Sequence, residues 1–393
     1  MNYKINPYLT FALSISALFF MAFSSVDIFK DGTSNFLASV FFTTSVYTED
    51  IVEKYNGASS GKHDEKIKIL IVPGHDNDSF GAYANNTTEA EINLIVAEEL
   101  KNILEKEKGI EILLSRDGSG YNPELQKYLD SEKENIEEFQ KEKKEIIKEL
   151  MEEGKVKSNI VVQHNFARPE VVDILYGINK FANDNDFDIT LHIHFNDYPG
   201  RTSSYGKYSG FSIYVPEKQY SNAEASHDFA EKVARHLSNM FAVSDMPKEN
   251  MITEDQELIA IGSYNTVDSV SALIEYGYIY ESQFTDQKVK DVILKELAQQ
   301  TYFGIMDYLN DTESDHETFK DFDNYKWKRN LSFGDKGLDV LALQNFLHDR
   351  GYYPYNDNLN NCPLNGNFRN CTESALKKYQ SDNNIYPNGS WLK

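Results

Sequence analysis

Ile67-Lys68-Ile69-Leu70-Ile71-Val72-Pro73-Gly74-His75 is the stretch whose reading decides the fold. A short apolar run closed by Pro-Gly predicts a buried strand, and the turn places His75 at its end. Downstream, Ile92, Ile95, Val96, Leu100 and Leu104 recur with helical spacing from Thr88 to Lys106. Thr88 and Glu91 there form a capping-box pattern. Ile110 to Leu114, Ile189 to Phe195, Gly210 to Val215 and Ser269 to Glu275 read as further strands. Glu170 to Asn185, Ser221 to Phe241 and Thr285 to Leu309 read as helices. Strands alternating with helices predict an α/β fold with a mostly parallel central sheet of about six strands, flanked by helices.

In such a sheet, strand ends and first helical turns converge on one crevice. His75 follows a strand, Glu89 opens a helix, and His192 and His194 alternate on a strand, so both point to one face. Two imidazoles and a carboxylate are the donor set of a hydrolytic zinc site with one position left open. Glu275, at the end of a later strand, is the candidate proton carrier.

The rest of the chain sets limits. A net charge of −23 over 393 residues excludes a basic nucleic-acid face and disfavours an anionic membrane surface as partner. Leu9 to Ser24 is an uncharged apolar run, preceded by Lys4 and followed by Asp27. This is the layout of a signal peptide or a membrane anchor, so the chain is expected to leave the cytoplasm. Cys362 and Cys371, the two cysteines of the chain, then read as a disulfide. Pro123 to Glu153 is rich in Glu and Lys, with a narrow apolar stripe through Leu125, Leu129, Ile136, Phe139, Ile146 and Leu150. It predicts one long helix or a helical hairpin laid on the domain, either as a fixed arm or as a lid released by a protein activator or the wall.

Residues 67–279 resemble the zinc-dependent N-acetylmuramoyl-L-alanine amidases that cleave bacterial peptidoglycan. The matching segments are Val72-Pro73-Gly74-His75, Glu89-Ala90-Glu91-Ile92-Asn93-Leu94, Ser115-Arg116, His192-Ile193-His194-Phe195-Asn196 and Ile274-Glu275-Tyr276-Gly277-Tyr278. The resemblance implies Zn2+ held by His75, Glu89 and His194, leaves His192 as an extra, and makes Glu275 the catalytic base. The family has Asp at Val72 and two glycines at Asp76 and Asn77, so Asp76 is expected to add a charge beside the metal. Residues 326–393 resemble a three-helix peptidoglycan-binding domain through Gly334-Asp335-Lys336-Gly337, Gly351-Tyr352-Tyr353, Gly366-Asn367-Phe368 and Tyr379-Gln380.

The expected organisation follows. Residues 1–26 are a signal peptide or anchor, 27–65 a tether, and 66–311 a zinc amidase domain with a charged helical insertion at 119–157. Residues 312–325 are a linker, and 326–393 the small wall-binding domain. The expected protein is exported to the periplasmic or cell-wall side, touches the membrane only through its N-terminal segment, and has peptidoglycan as partner. Two competing readings are a non-catalytic wall-binding protein and a zinc peptidase acting within the stem peptide.

Overall fold

The computed structural model describes residues 46–160, 162, 167–198, 200–202, 206–315, 319, 322 and 325–393. The expected signal or anchor segment, residues 1–26, lies outside the described residues. No described helix is long and apolar enough to cross a membrane.

Six strands form one mixed, mostly parallel sheet. They are β1 (Ile67–Pro73), β4 (Ile110–Leu114), β5 (Ile189–Asn196), β6 (Ser212–Pro216), β7 (Ile252–Asp255) and β8 (Val270–Tyr278), in the order β4-β1-β5-β8-β6-β7. A separate two-residue pair, β2 (Tyr83–Ala84) and β3 (Thr87–Thr88), sits between β1 and the first helix of the domain. Pairing is parallel except between β6 and β8. After β1 the chain crosses to β4 on one side and then returns to β5 on the other. The strand order therefore reverses at the ends of β1 and β5, where a ligand crevice forms in open α/β sheets.

Nine α-helices are described: α1 (Thr48–Ser59), α2 (Glu89–Leu104), α3 (Pro123–Ser131), α4 (Lys133–Glu152), α5 (Pro169–Asp184), α6 (Ala223–Ser238), α7 (Gln287–Asn310), α8 (Leu338–His348) and α9 (Asn370–Asp382). Alternation along the strands divides the core. Ile67, Ile69 and Ile71 of β1 join Leu191, Ile193, Ala272 and Ile274 in the main core with α2, α6 and α7. Leu70 and Val72 face the other way, against Leu125 of α3 and Ile178, Phe181 and Ala182 of α5. Each of the Ile, Leu, Val and Phe side chains among these contributes about 1.5–3 kcal/mol by its burial.

Several segments differ from the sequence expectation. Thr48–Ser59, inside the expected tether, is a helix that buries Ile51 and Tyr55 in the main core. Lys54 pairs with Asp188 at 2.9 Å and fixes it to the start of β5. The charged insertion is two helices, because the chain turns at Glu132. The edge strand β7 carries a single apolar residue, Ile252, so no periodic signal marked it. In residues 326–393, two α-helices are described where three were expected. The chain between them, rich in Gly, Pro and Asn, runs as turns closed by the Cys362–Cys371 disulfide. This unit docks on the larger one through Asn365 Nδ2 to Ser282 Oγ (2.8 Å) and Asn360 Nδ2 to the Val243 carbonyl (2.8 Å).

Candidate metal centre

The turn after β1 is held from three sides. Arg116 donates from Nε to the Pro73 carbonyl (3.0 Å) and from Nη2 to the carbonyls of Gly74 and Ala90 (2.9 Å each). Asn93 Nδ2 also donates to the Gly74 carbonyl, at 2.9 Å. These bonds tie the turn to α2 and hold His75 at φ 62°, a left-handed conformation that costs roughly 1–3 kcal/mol outside glycine. His75 Nδ1 donates to the Ser79 carbonyl at 3.1 Å, which leaves Nε2 free to bind a metal.

Glu89 is the first residue of α2. The capping box expected from Thr88 and Glu91 is present, and it fixes the angle at which the helix begins. The buried Glu89 carboxylate lies between the two imidazoles: Oε2 is 3.1 Å from His75 Nε2, and Oε1 is 2.9 Å from His194 Nδ1. The backbone N–H of Ala82 also donates to Oε2, at 3.0 Å. Burial opposes ionisation of Glu89, but the bonds from His194 and His75 outweigh it and hold the carboxyl well below its usual range. The ligand atoms of His75, Glu89 and His194 all lie within 4.8 Å of one another.

Two glycines leave the room this cluster needs. A Cβ at Gly74 would lie 2.1 Å from His194 Nε2, and one at Gly81 would lie 2.4 Å from Glu89 Oε2. The donor set, its spacing and this cradle fit Zn2+ with a coordination position left for a further ligand.

Glu275 is the register partner of His194 on β8. Its Oε2 is buried without a hydrogen-bond partner among the described residues. Burial, with the nearby Glu89 and Glu249 carboxylates, pushes its pKa well above the usual carboxylate value. His192 is fully buried and, among the described residues, does not belong to the cluster and has no partner at either ring nitrogen. Burial, then the neighbouring His194, lowers its pKa to about 3, so it is neutral.

Asp76, next to His75, structures its own loop. It accepts the backbone N–H groups of Asp78 (2.9 Å) and Ser79 (2.7 Å) and the Tyr121 hydroxyl (2.9 Å). Glu249 was not singled out from the sequence. It accepts from the Tyr214 hydroxyl (2.7 Å), Asn196 Nδ2 (3.1 Å), the Tyr278 hydroxyl (3.3 Å) and Ser244 Oγ. Those partners come from separate strands and loops, so no local pattern marks it.

The domain family described as N-acetylmuramoyl-L-alanine amidase matches residues 69–307, more than half of the chain. The peptidoglycan binding domain family matches residues 336–391. Among solved structures, the chain is similar to the CwlD amidase of Clostridioides difficile, solved in complex with the GerS lipoprotein. That match has 15% identity and a TM-score of 0.40, covering 62% of this chain and 98% of that one. It is also similar to the catalytic domain of the amidase CwlV from Bacillus (Paenibacillus) polymyxa var. colistinus, with 16% identity and a TM-score of 0.39, covering 62% and 98%. No curated protein matches the chain.

Proposed function

The chain belongs to the N-acetylmuramoyl-L-alanine amidase family, whose reaction is hydrolysis of the amide between N-acetylmuramic acid and L-alanine in peptidoglycan, and on that premise we propose that it works with Zn2+ held by His75, Glu89 and His194. The observation that supports this most is the gathering of those three ligand atoms within 4.8 Å at the edge where β1 and β5 part. When bound, the ion would polarise the scissile carbonyl and acidify a water.

The chain's own residues do the rest. Glu89, whose carboxyl is held well below its usual range, stays a carboxylate. Arg116 and Asn93 keep the His75 turn from relaxing. Glu275 lies one strand across from His194, partly exposed, with an oxygen that has no partner among the described residues. It takes the proton of the attacking water and returns it to the leaving amine. Burial and the neighbouring carboxylates push its pKa up, the direction a carboxyl proton carrier needs.

The smaller unit, 326–393, would hold the enzyme on its insoluble polymer and raise the local concentration of cleavable bonds. Peptidoglycan lies outside the cytoplasmic membrane, so the reading places the chain on the cell-wall side, delivered or anchored by residues 1–26. A protein activator acting on the insertion would have to part α4 from α5. Zinc titration into the chelator-stripped chain tests the centre. One ion per wild-type chain, and none in His194→Ala, is the expected result; equal uptake by both would refute the ligand assignment.

A further inference from the structure

Glu275 stands just before an irregularity in β8. His194 pairs with Glu275 but Asn196 pairs with Tyr278, so β8 advances three residues (275 to 278) where β5 advances two (194 to 196). The extra residue is absorbed at Gly277, whose φ of 139° is a conformation that glycine adopts without strain. A Cβ at Gly277 would lie 2.8 Å from Glu281 Oε1. That oxygen accepts the backbone N–H groups of Tyr278 (2.7 Å) and Gly210 (3.1 Å). A bulge beside a working residue sets the direction of its side chain. Whatever fixes this bulge therefore fixes the aim of Glu275.

Glu281 holds the backbone of the bulge, and the side chains around it converge on Glu249. Glu249 precedes β7 and is 7% exposed. Its Oε1 accepts from Asn196 Nδ2 on β5 (3.1 Å) and from the Tyr214 hydroxyl on β6 (2.7 Å). Its Oε2 accepts from the Tyr278 hydroxyl on β8 (3.3 Å) and from Ser244 Oγ. Asn196 Oδ1 takes the Asp197 N–H at 2.8 Å, which orients that amide with its nitrogen toward Glu249. Residues two apart on a strand share a face. Asn196 thus lies on the face of His194, and Tyr214 on the face of Ser212, the register partner of Glu275 on β6. One carboxylate ties both strands that flank Glu275, and the far end of its own strand, to a single point.

We infer that Glu249 is a positioning residue for the reaction: by clamping Asn196, Tyr214 and Tyr278 it holds the β8 bulge in the form that aims the Glu275 carboxyl at the metal site. The inference rests on the amidase reading and adds to it a residue outside the ligands and the proton carrier. The clamp works by shape rather than by charge. Glu249→Gln can keep every bond, because its oxygen serves Asn196 and Tyr214 while the Ser244 and Tyr278 hydroxyls turn to accept from its amide nitrogen. Glu249→Ala keeps none.

The test uses the full chain with zinc and N-acetylmuramoyl-tripeptide as substrate, beside hydrogen–deuterium exchange read on the peptide 275–281. Glu249→Ala should lower kcat about 30- to 100-fold, the size expected when a reacting group is misplaced by about 1 Å. KM and zinc content should stay at the wild-type level. Exchange should quicken at 275–281, where the Ile279 N–H bonds the Asn196 carbonyl (3.0 Å). Glu249→Gln should restore most of the kcat and the slow exchange. If Glu249→Ala does not fold, Tyr214→Phe is read in its place on both measurements, with kcat about three- to tenfold lower, the size of one hydrogen bond. Unchanged kcat, or loss of zinc or a rise in KM in step with the fall in kcat, overturns the inference. So does a Glu249→Gln variant as slow as Glu249→Ala, which would assign the effect to charge. If the wild type cuts no amide, exchange at 275–281 decides alone. Quickened exchange that Glu249→Gln restores upholds the clamp and refutes the amidase reading; unchanged exchange overturns the clamp.

Discussion

Glu275 and His194 are neighbours across β5 and β8, yet their surroundings assign them different work. His194 faces the Glu89 carboxylate at 2.9 Å, whereas Glu275 has a buried oxygen that nothing among the described residues bonds. Glu275→Gln should therefore keep its zinc and lose turnover by about 100- to 10,000-fold, the usual worth of general acid–base catalysis. Metal analysis beside a cell-wall turbidity assay checks it, and loss of the ion together with activity would make Glu275 a ligand. His194→Ala should lose the ion, while His192→Ala, two residues back on the same face, should retain it. Equal loss in both would put the second imidazole in the coordination sphere. Candidates such as His75, Glu89 and His194 were legible because each carries a local signal: a Pro-Gly turn, a helix cap, a strand alternation. Glu249 carries none, and the Asx-type loop that Asp76 closes is backbone geometry that no residue pattern reveals.

At the scale of elements, the insertion is the part that sequence left open. Its apolar stripe predicted a helix docked on one surface, and the structure seats it on two separate clusters. Leu125 is fully buried beside Phe181 and Ile178, while Ile147, Leu150 and Val156 pack around Tyr220. Gly177 of α5 permits this approach, since a Cβ there would lie 2.3 Å from Leu129 Cδ2. Such contacts favour an arm fixed to the domain over a freely opening lid. Leu125→Ala should cost about 2–5 kcal/mol, read as a lower midpoint in denaturant. A change below about 0.5 kcal/mol would mean α3 is only loosely held. The central strands were readable because strands buried on both faces are apolar without interruption. The helix α1 was not, because Gly57 and the polar run after it look like a linker, and its anchor Asp188 lies far along the chain.

Across the whole molecule, one buried network ties α6, α7 and the segment that follows. Asp307 accepts from His236 Nε2 (2.8 Å), Thr312 Oγ1 (2.9 Å) and the Ser314 N–H (3.0 Å), and pairs with Arg235. Burial alone would raise its pKa, but these bonds, His236 first, outweigh it and hold the carboxyl well below 3.8. A carboxylate depressed in the folded state adds stability that is complete above its unfolded value and is lost as pH falls below it. The melting temperature should thus drop as pH falls below about 4, and Asp307→Asn should flatten that acid limb. An unchanged limb would assign acid lability elsewhere. The two-unit organisation was legible from ordered motifs at each end, while the bonds that dock the units, from Asn360 and Asn365, had no sequence mark. The most direct test of the central claim is mass spectrometry of fragments released from purified peptidoglycan, with and without chelator. The account predicts free stem peptides beginning at L-alanine, abolished by chelator and restored by zinc. Peptides cut within the stem, no fragments, or release that chelator does not touch would contradict it.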